Sequence, residues 1–204
     1  MKKILLVTIL LTWISVNLQA EVKKMAVEEA FPKWKTECDN GNLKSCGLLS
    51  SVSYVSSEYH DVDYVKSRMY AKKACSGNNP DPEGCFYLGL AWLDTRSGVP
   101  HVDTFKAHDL YKKGCDLGGH SGCFSLARCY EKGKGAKINP KKAVDLYNKA
   151  IKLGSDAAYI NLGIMTYNGI GVKRDVKKAK EMFGKACDAK IQMGCDLLAE
   201  VSQR

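Results

Sequence analysis

Four close pairs of cysteines constrain this chain more than any other feature. Eight of the nine cysteines fall together as Cys38 with Cys46, Cys75 with Cys85, Cys115 with Cys123, and Cys187 with Cys195. Three pairs share a C-x7-C spacing, and the second, CSGNNPDPEGC, has two more residues. Zinc sites bring their ligands about two to four residues apart on a tight knuckle. Redox sites of the thioredoxin type use C-x-x-C. Neither spacing occurs in the chain, so the pairs read as disulfide staples between two pieces of chain, with Cys129 left over as a free thiol.

The start of the chain predicts a compartment where such bonds persist. Residues 1–20, MKKILLVTILLTWISVNLQA, run from a charged start through an apolar stretch to a small residue at Ala20, the layout of a secretory signal peptide. The apolar stretch Ile4 to Val16 is shorter than the roughly 20 residues that span a bilayer as a helix. Nothing later is long and apolar enough to do so. The mature protein is therefore expected to begin near Glu21, without a membrane span, in a periplasm or outside the cell, where cysteines oxidise.

The pairs are also one column of an internal repeat. Three residues after the second cysteine stand Leu49, Leu88, Leu126 and Leu198, with Leu162 in the register that lacks cysteines. The next position is always small: Ser50, Gly89, Ala127, Gly163 and Ala199. Twelve residues before the first cysteine, or its equivalent, stand Asp63, Asp103, Asn139 and Asp175, residue types that cap a helix start. Two before it is always lysine, Lys73, Lys113, Lys149 and Lys185, a cation suited to the negative end of its own helix.

The unit of about 36 residues reads as a short first helix, such as GCFSLARCYEK, a glycine-containing loop, and a capped second helix, such as NPKKAVDLYNKAIKL. Pro140 follows the cap Asn139, where its missing N–H costs nothing. Helix pairs of this kind cannot bury their apolar faces alone and stack into a solenoid. Four units, an entry helix before Cys38 and a closing helix near Met193 to Val201 make one all-α repeat domain over residues 21–204. Each first cysteine then ends a second helix and each second cysteine begins the next first helix. The middle junction carries Ile151 and Tyr159 instead, so both members are missing together, as a disulfide requires. Closing so small a ring stabilises by roughly 2–3 kcal/mol in the loop-entropy view.

The segments YNGIGVKRDVKKAKEMFGKAC (167–187) and YEKGKGAKINPKKAVDLYNKA (130–150) resemble the Sel-1-like repeat, a relative of the tetratricopeptide repeat. The cysteine pairs at the junctions resemble those of the Helicobacter cysteine-rich proteins, a secreted subgroup. The resemblance implies a right-handed α/α solenoid whose concave side is lined by the first helices. It implies two roles: protein or peptide binding, with an envelope or host component as partner, or penicillin binding with weak β-lactamase activity on a peptidoglycan-related ligand.

The residues favour binding. The serine β-lactamase elements S-x-x-K, S-D-N and K-T-G are absent, so hydrolysis would need a site without the usual serine or zinc groups. The histidines His60, His101, His108 and His120 lack ligand spacing; no metal or other cofactor is expected and catalytic residues stay unknown. Exposed side chains on the first helices are the binding candidates: Arg128, Tyr130, Asn161, Tyr167 and Asn168, with Tyr54, Tyr87 and Trp92 weighed against ordinary packing. Arg128 and Asn161 stand out, because polar groups on packed helices usually face solvent. Cys129 aligns with Ala91 and Met165 and reads as a buried, inert thiol. The formal charge of +9 includes Lys2 and Lys3 of the leader and reads mainly as solvated faces. No basic-aromatic motif points to nucleic acid, and the protein is expected to be a monomer.

Overall fold

The computed structural model describes residues 29–54 and 63–203, which are helical with no strand among them. The predicted leader, its cleavage point, His60 and most of the first unit's loop lie outside these residues. Helix α1 covers 29–39 among the described residues. It is followed by α2 (Leu43–Tyr54), α3 (Tyr64–Ala74), α4 (Pro82–Ala91), a 3-10 turn (Thr95–Ser97), α5 (Thr104–Asp116), α6 (His120–Lys132), α7 (Pro140–Lys152), α8 (Ala157–Asn168), α9 (Val176–Asp188) and α10 (Gln192–Ser202). Even-numbered helices are the first helices of the units and odd-numbered ones the second. Consecutive helices pack together, and α4 also packs on its even neighbours α2 and α6.

The capping column works as the residue types demand. Asp63, Asp103, Asn139 and Asp175 each accept a bond from the backbone N–H three residues on, at 2.8, 3.0, 3.0 and 2.9 Å. One of the orphan donors at each helix start is thereby satisfied. First helices α6 and α8 end on Gly133 and Gly169, whose positive φ suits a residue without Cβ. The loop then folds back on the preceding unit: a Cβ on Gly135 would lie 2.1 Å from the Thr104 carbonyl oxygen.

Small positions exist because a ring lies on them. A Cβ on Gly89 would sit 2.6 Å from the Tyr111 ring, and one on Gly163 would sit 2.6 Å from Phe183. Tyr111, Tyr147 and Phe183 occupy the same place on α5, α7 and α9 and are 3%, 0% and 1% exposed. Each buried ring contributes about 1.5–3 kcal/mol, so the glycines are where one methyl group would do most damage. The first unit departs from this: Ser50 faces Ser67, and each hydroxyl donates to the other residue's carbonyl, at 3.1 and 3.0 Å.

All four predicted cysteine pairs are bonded, with Cα–Cα distances of 4.8, 4.6, 4.4 and 4.6 Å, and Cys129 is free and buried. Each staple closes the turn between a second helix and the next first helix. At the middle junction Ile151 and Tyr159 pack against the central core instead. The lysine column departs from the expectation that each cation serves its own helix end. Lys113 Nζ donates to the Cys75 carbonyl at 2.7 Å, and Lys149 Nζ donates to the Cys115 carbonyl at 3.0 Å. Each thus satisfies an orphan carbonyl one unit upstream, because stacking brings that helix end within reach of a lysine stem.

Candidate functional site

Between neighbouring first helices lies a groove whose floor is a side chain of the intervening second helix. At α6/α8 that floor is Tyr147. Its hydroxyl donates to Glu131 Oε2 at 2.6 Å and accepts from Asn161 Nδ2 at 2.7 Å. Burial, with the Glu131 bond second, pushes the Tyr147 phenol far above its ordinary range, so it stays the donor. Glu131 stands on α6 and Asn161 on α8, so this network ties the two first helices together.

At α4/α6 the floor is Tyr111, and the groove opens into a cleft of about 120 Å³. Leu90 and Leu93 form one wall, Ser125, Arg128 and Cys129 the other, and Lys132 and Lys134 stand at its edge. Burial raises the Tyr111 phenol well above its usual value, while the Arg128 charge pulls the other way. The Cys129 thiol is pushed up to about 11 by burial, so it is a packing group rather than a nucleophile at neutral pH. A second groove, at α2/α4, has a volume of about 300 Å³ and is lined by Lys44, Ser51, Asp81, Glu83, Tyr87 and His120.

The structure brings only one of the five chosen binding residues into the cleft. Arg128 is exposed and lines it, with its guanidinium 6.0 Å from the Phe124 ring. Asn161 is half-buried and committed to Tyr147, so the expectation that it faces solvent does not hold. The reason is a tertiary hydrogen bond that burial rewards. Tyr130 turns its ring edge-on to His108 at 5.6 Å, with Lys142 Nζ 5.1 Å above it. Arg174 stands 5.6 Å from the half-buried Tyr167 ring, and Asn168 is exposed and donates to the Ile164 carbonyl at 3.0 Å. Tyr54 and Tyr87 meet across the first groove at 5.7 Å, and Lys106 Nζ lies 4.0 Å over Trp92. Tyr111, Ser125, Leu90 and Leu93 escaped the sequence reading, although aligning the units by column places them around one spot.

The remaining titratable groups do not converge. His101 and His120 are exposed, and His108 holds Nδ1 3.0 Å from Asp109. No three metal-ligating side chains cluster among the described residues. Among them, no helix is long and apolar enough to cross a membrane.

Comparison with known proteins fits this geometry. The model of the Sel1 repeat matches residues 52–79, 82–119, 120–155 and 156–190, well over half of the chain. Over 119 residues the chain is 34% identical to cytochrome c oxidase assembly factor 7A of Xenopus laevis, covering 55% of this chain and 49% of that protein. The chain spans about half the length of the curated relatives it matches. It superposes on Helicobacter pylori cysteine rich protein B with a TM-score of 0.52 and 29% identity, over 67% of this chain and 95% of that one. A protective antigen of uropathogenic Escherichia coli aligns with a TM-score of 0.68 over 82% of this chain and 35% of its own; at 23% identity it shows the fold alone.

Proposed function

The chain belongs to the Sel1 repeat family, and on that footing we propose that it is an exported, disulfide-stapled solenoid that binds a protein or peptide on its first-helix face. Sel1 repeats serve generally as protein-interaction modules. The observation that carries the reading is the open cleft at α4/α6, where exposed Arg128 stands over a buried tyrosine and an aliphatic wall. Such a surface offers an apolar seat with a polar rim, the arrangement of a recognition site. Four disulfides in so small a protein fit an oxidising compartment such as a periplasm or the extracellular space.

The test compares oxidised mature protein with Arg128→Glu, on the first-helix face, and Lys177→Glu, exposed on a second helix. Immobilised wild type and Lys177→Glu should retain the same partner from envelope or host-cell extracts, and Arg128→Glu should lose it. Equal retention by all three would move the binding surface elsewhere. An intact mass spectrum after excess penicillin supplies the opposing outcome: a stoichiometric adduct would replace binding with acyl-transfer chemistry.

A further inference from the structure

Four grooves separate neighbouring first helices, and each holds a trio of residues at equivalent repeat positions. One member lies on the second helix, one near the end of the preceding first helix, and one near the start of the following first helix. At α2/α4 the trio is Ala71, Tyr54 and Tyr87: the floor is small and the two rings meet at 5.7 Å. At α6/α8 it is Tyr147, Glu131 and Asn161, hydrogen-bonded throughout. At α8/α10 it is Phe183, Tyr167 and Leu197, which pack together in an apolar cluster. Rings meet rings, apolar groups meet apolar groups, and the phenol meets a carboxylate and an amide.

The trio at α4/α6 does not match in this way. Its floor is Tyr111, a phenol like Tyr147, yet Leu93 stands where Glu131 would and Ser125 where Asn161 would. No described side chain hydrogen-bonds the Tyr111 hydroxyl, although the residue is only 3% exposed and lines the cleft. The hydroxyl opens on the cleft instead, for the one buried side-chain polar atom without a partner among the described residues is His108 Nε2. Arg128, on the same wall as Ser125, has no carboxylate partner among the described residues, and no acidic side chain lines this cleft. One groove therefore lacks what its neighbour supplies internally: a carboxylate.

We propose that the α4/α6 cleft is a carboxylate-binding subsite, in which an acidic residue of a bound peptide takes the place that Glu131 fills in the next groove. The Tyr111 hydroxyl donates to the ligand carboxylate, and Arg128 neutralises its charge. Leu90 and Leu93 receive an aliphatic neighbour of the acidic residue. Charge-assisted bonds in a half-enclosed cleft are the strong class of hydrogen bond. The volume suits a single side chain, so one acidic residue rather than a long acidic run is recognised. This inference rests on the reading of the protein as a peptide-binding module and names the chemistry of its ligand.

A random peptide library selected on the immobilised oxidised protein tests it, followed by fluorescence anisotropy on the selected peptides. The peptides are made with an amidated end and an internal Glu, with Gln replacing that Glu, and with a free carboxyl end but no acidic side chain. Selected sequences should place Glu or Asp beside an aliphatic residue, and Glu-to-Gln replacement should weaken binding about tenfold, as loss of one charge-assisted contact does. Binding by the amidated acidic peptide locates the carboxylate in a side chain; binding only by the free-ended peptide locates it at the chain end, with the same subsite. Tyr111→Phe and Arg128→Gln should each reproduce the loss with unchanged circular dichroism. Leu93→Glu with Ser125→Asn should abolish binding by installing the internal carboxylate of the neighbouring groove. Neutral selected peptides that ignore Tyr111→Phe and Arg128→Gln would overturn the carboxylate subsite while leaving a peptide-binding module. If no peptide is enriched, both readings fall.

Discussion

The turn between α5 and α6 and the turn between α7 and α8 occupy the same place in successive units and are closed by different forces. The first holds Cys115 bonded to Cys123 with their Cα atoms 4.4 Å apart. Beside the bond, a Cβ on Gly122 would lie 2.7 Å from the Cys115 backbone nitrogen. The second turn replaces the cysteines by Ile151 and Tyr159, and Gly122 by the fully buried Ala158. Glycine recurs at this position beside two other staples, as Gly84 and Gly194, while Ser45 takes it in the first and bonds Glu37 at 2.5 Å. A short Cα–Cα distance draws two backbones together until a methyl group hardly fits. Where the bond is absent, the methyl returns and two apolar side chains fill the space. Their burial is worth about 1.5–3 kcal/mol each when complete, comparable to the roughly 2–3 kcal/mol of a staple.

Part of the lysine column follows the same division, although Lys73 beside the first staple meets Asp39 Oδ1 at 3.5 Å rather than a carbonyl. Lys149 reaches the Cys115 carbonyl at the stapled turn, whereas Lys185, which in register should reach the end of α7, lies 5.3 Å over the Tyr159 ring. Replacing the second cysteine by tyrosine puts an aromatic face where the cation would otherwise find a carbonyl. The cation–π contact takes over part of the role.

The largest effect that would separate the two turns comes from removing a staple. Cys115→Ala with Cys123→Ala should cost about 2–3 kcal/mol in denaturant unfolding of the oxidised protein. Hydrogen exchange should rise at the α5–α6 turn while the α7–α8 turn keeps its protection. Equal loosening at both turns would show that the unstapled turn borrows its stability from its neighbours. Next, Gly122→Ala should destabilise by about 2 kcal/mol through overpacking against backbone. A neutral result would mean that the stapled turn has slack and that Ala158 says nothing about closeness.

Smaller differences sharpen the contrast. Lys113→Met should cost about 1 kcal/mol by leaving the Cys75 carbonyl without its partner, and Lys185→Met should cost less, because it removes only a ring contact; thermal melts of the pair decide the order. The smallest change concerns Lys190, the one non-glycine residue of positive φ (63°) among the described residues. It holds the place that Gly118 and Gly154 hold in other turns. Lys190→Gly should stabilise by about 0.5–1 kcal/mol, since an L side chain is strained there. A loss of stability would show that the lysine stem packs usefully enough to offset the strain.

Much of this architecture was legible because it is local. Asp103 bonds a backbone N–H three residues away, and Cys115 bonds a cysteine eight residues away, so residue type and spacing are sufficient. The candidate site was legible only at Arg128. Asn161 looked exposed in sequence because its partner Tyr147 lies on another helix, and nothing in either residue announces the bond. Cys129 was read correctly as buried because its column holds apolar residues elsewhere.

The amino-acid sequence by itself determined the repeat register, the helix starts, the staples and the missing staple, since each depends on residues within a turn or two of one another. Only the tertiary structure decided where the lysine column points and which groove keeps a phenol without a side-chain partner. Those outcomes depend on side chains tens of residues apart, such as Leu93, Tyr111 and Ser125, meeting across stacked units. Stacking sets the distances, and hydrogen bonding or packing across them then matches the side chains in three trios and leaves the fourth with a phenol that no described side chain bonds.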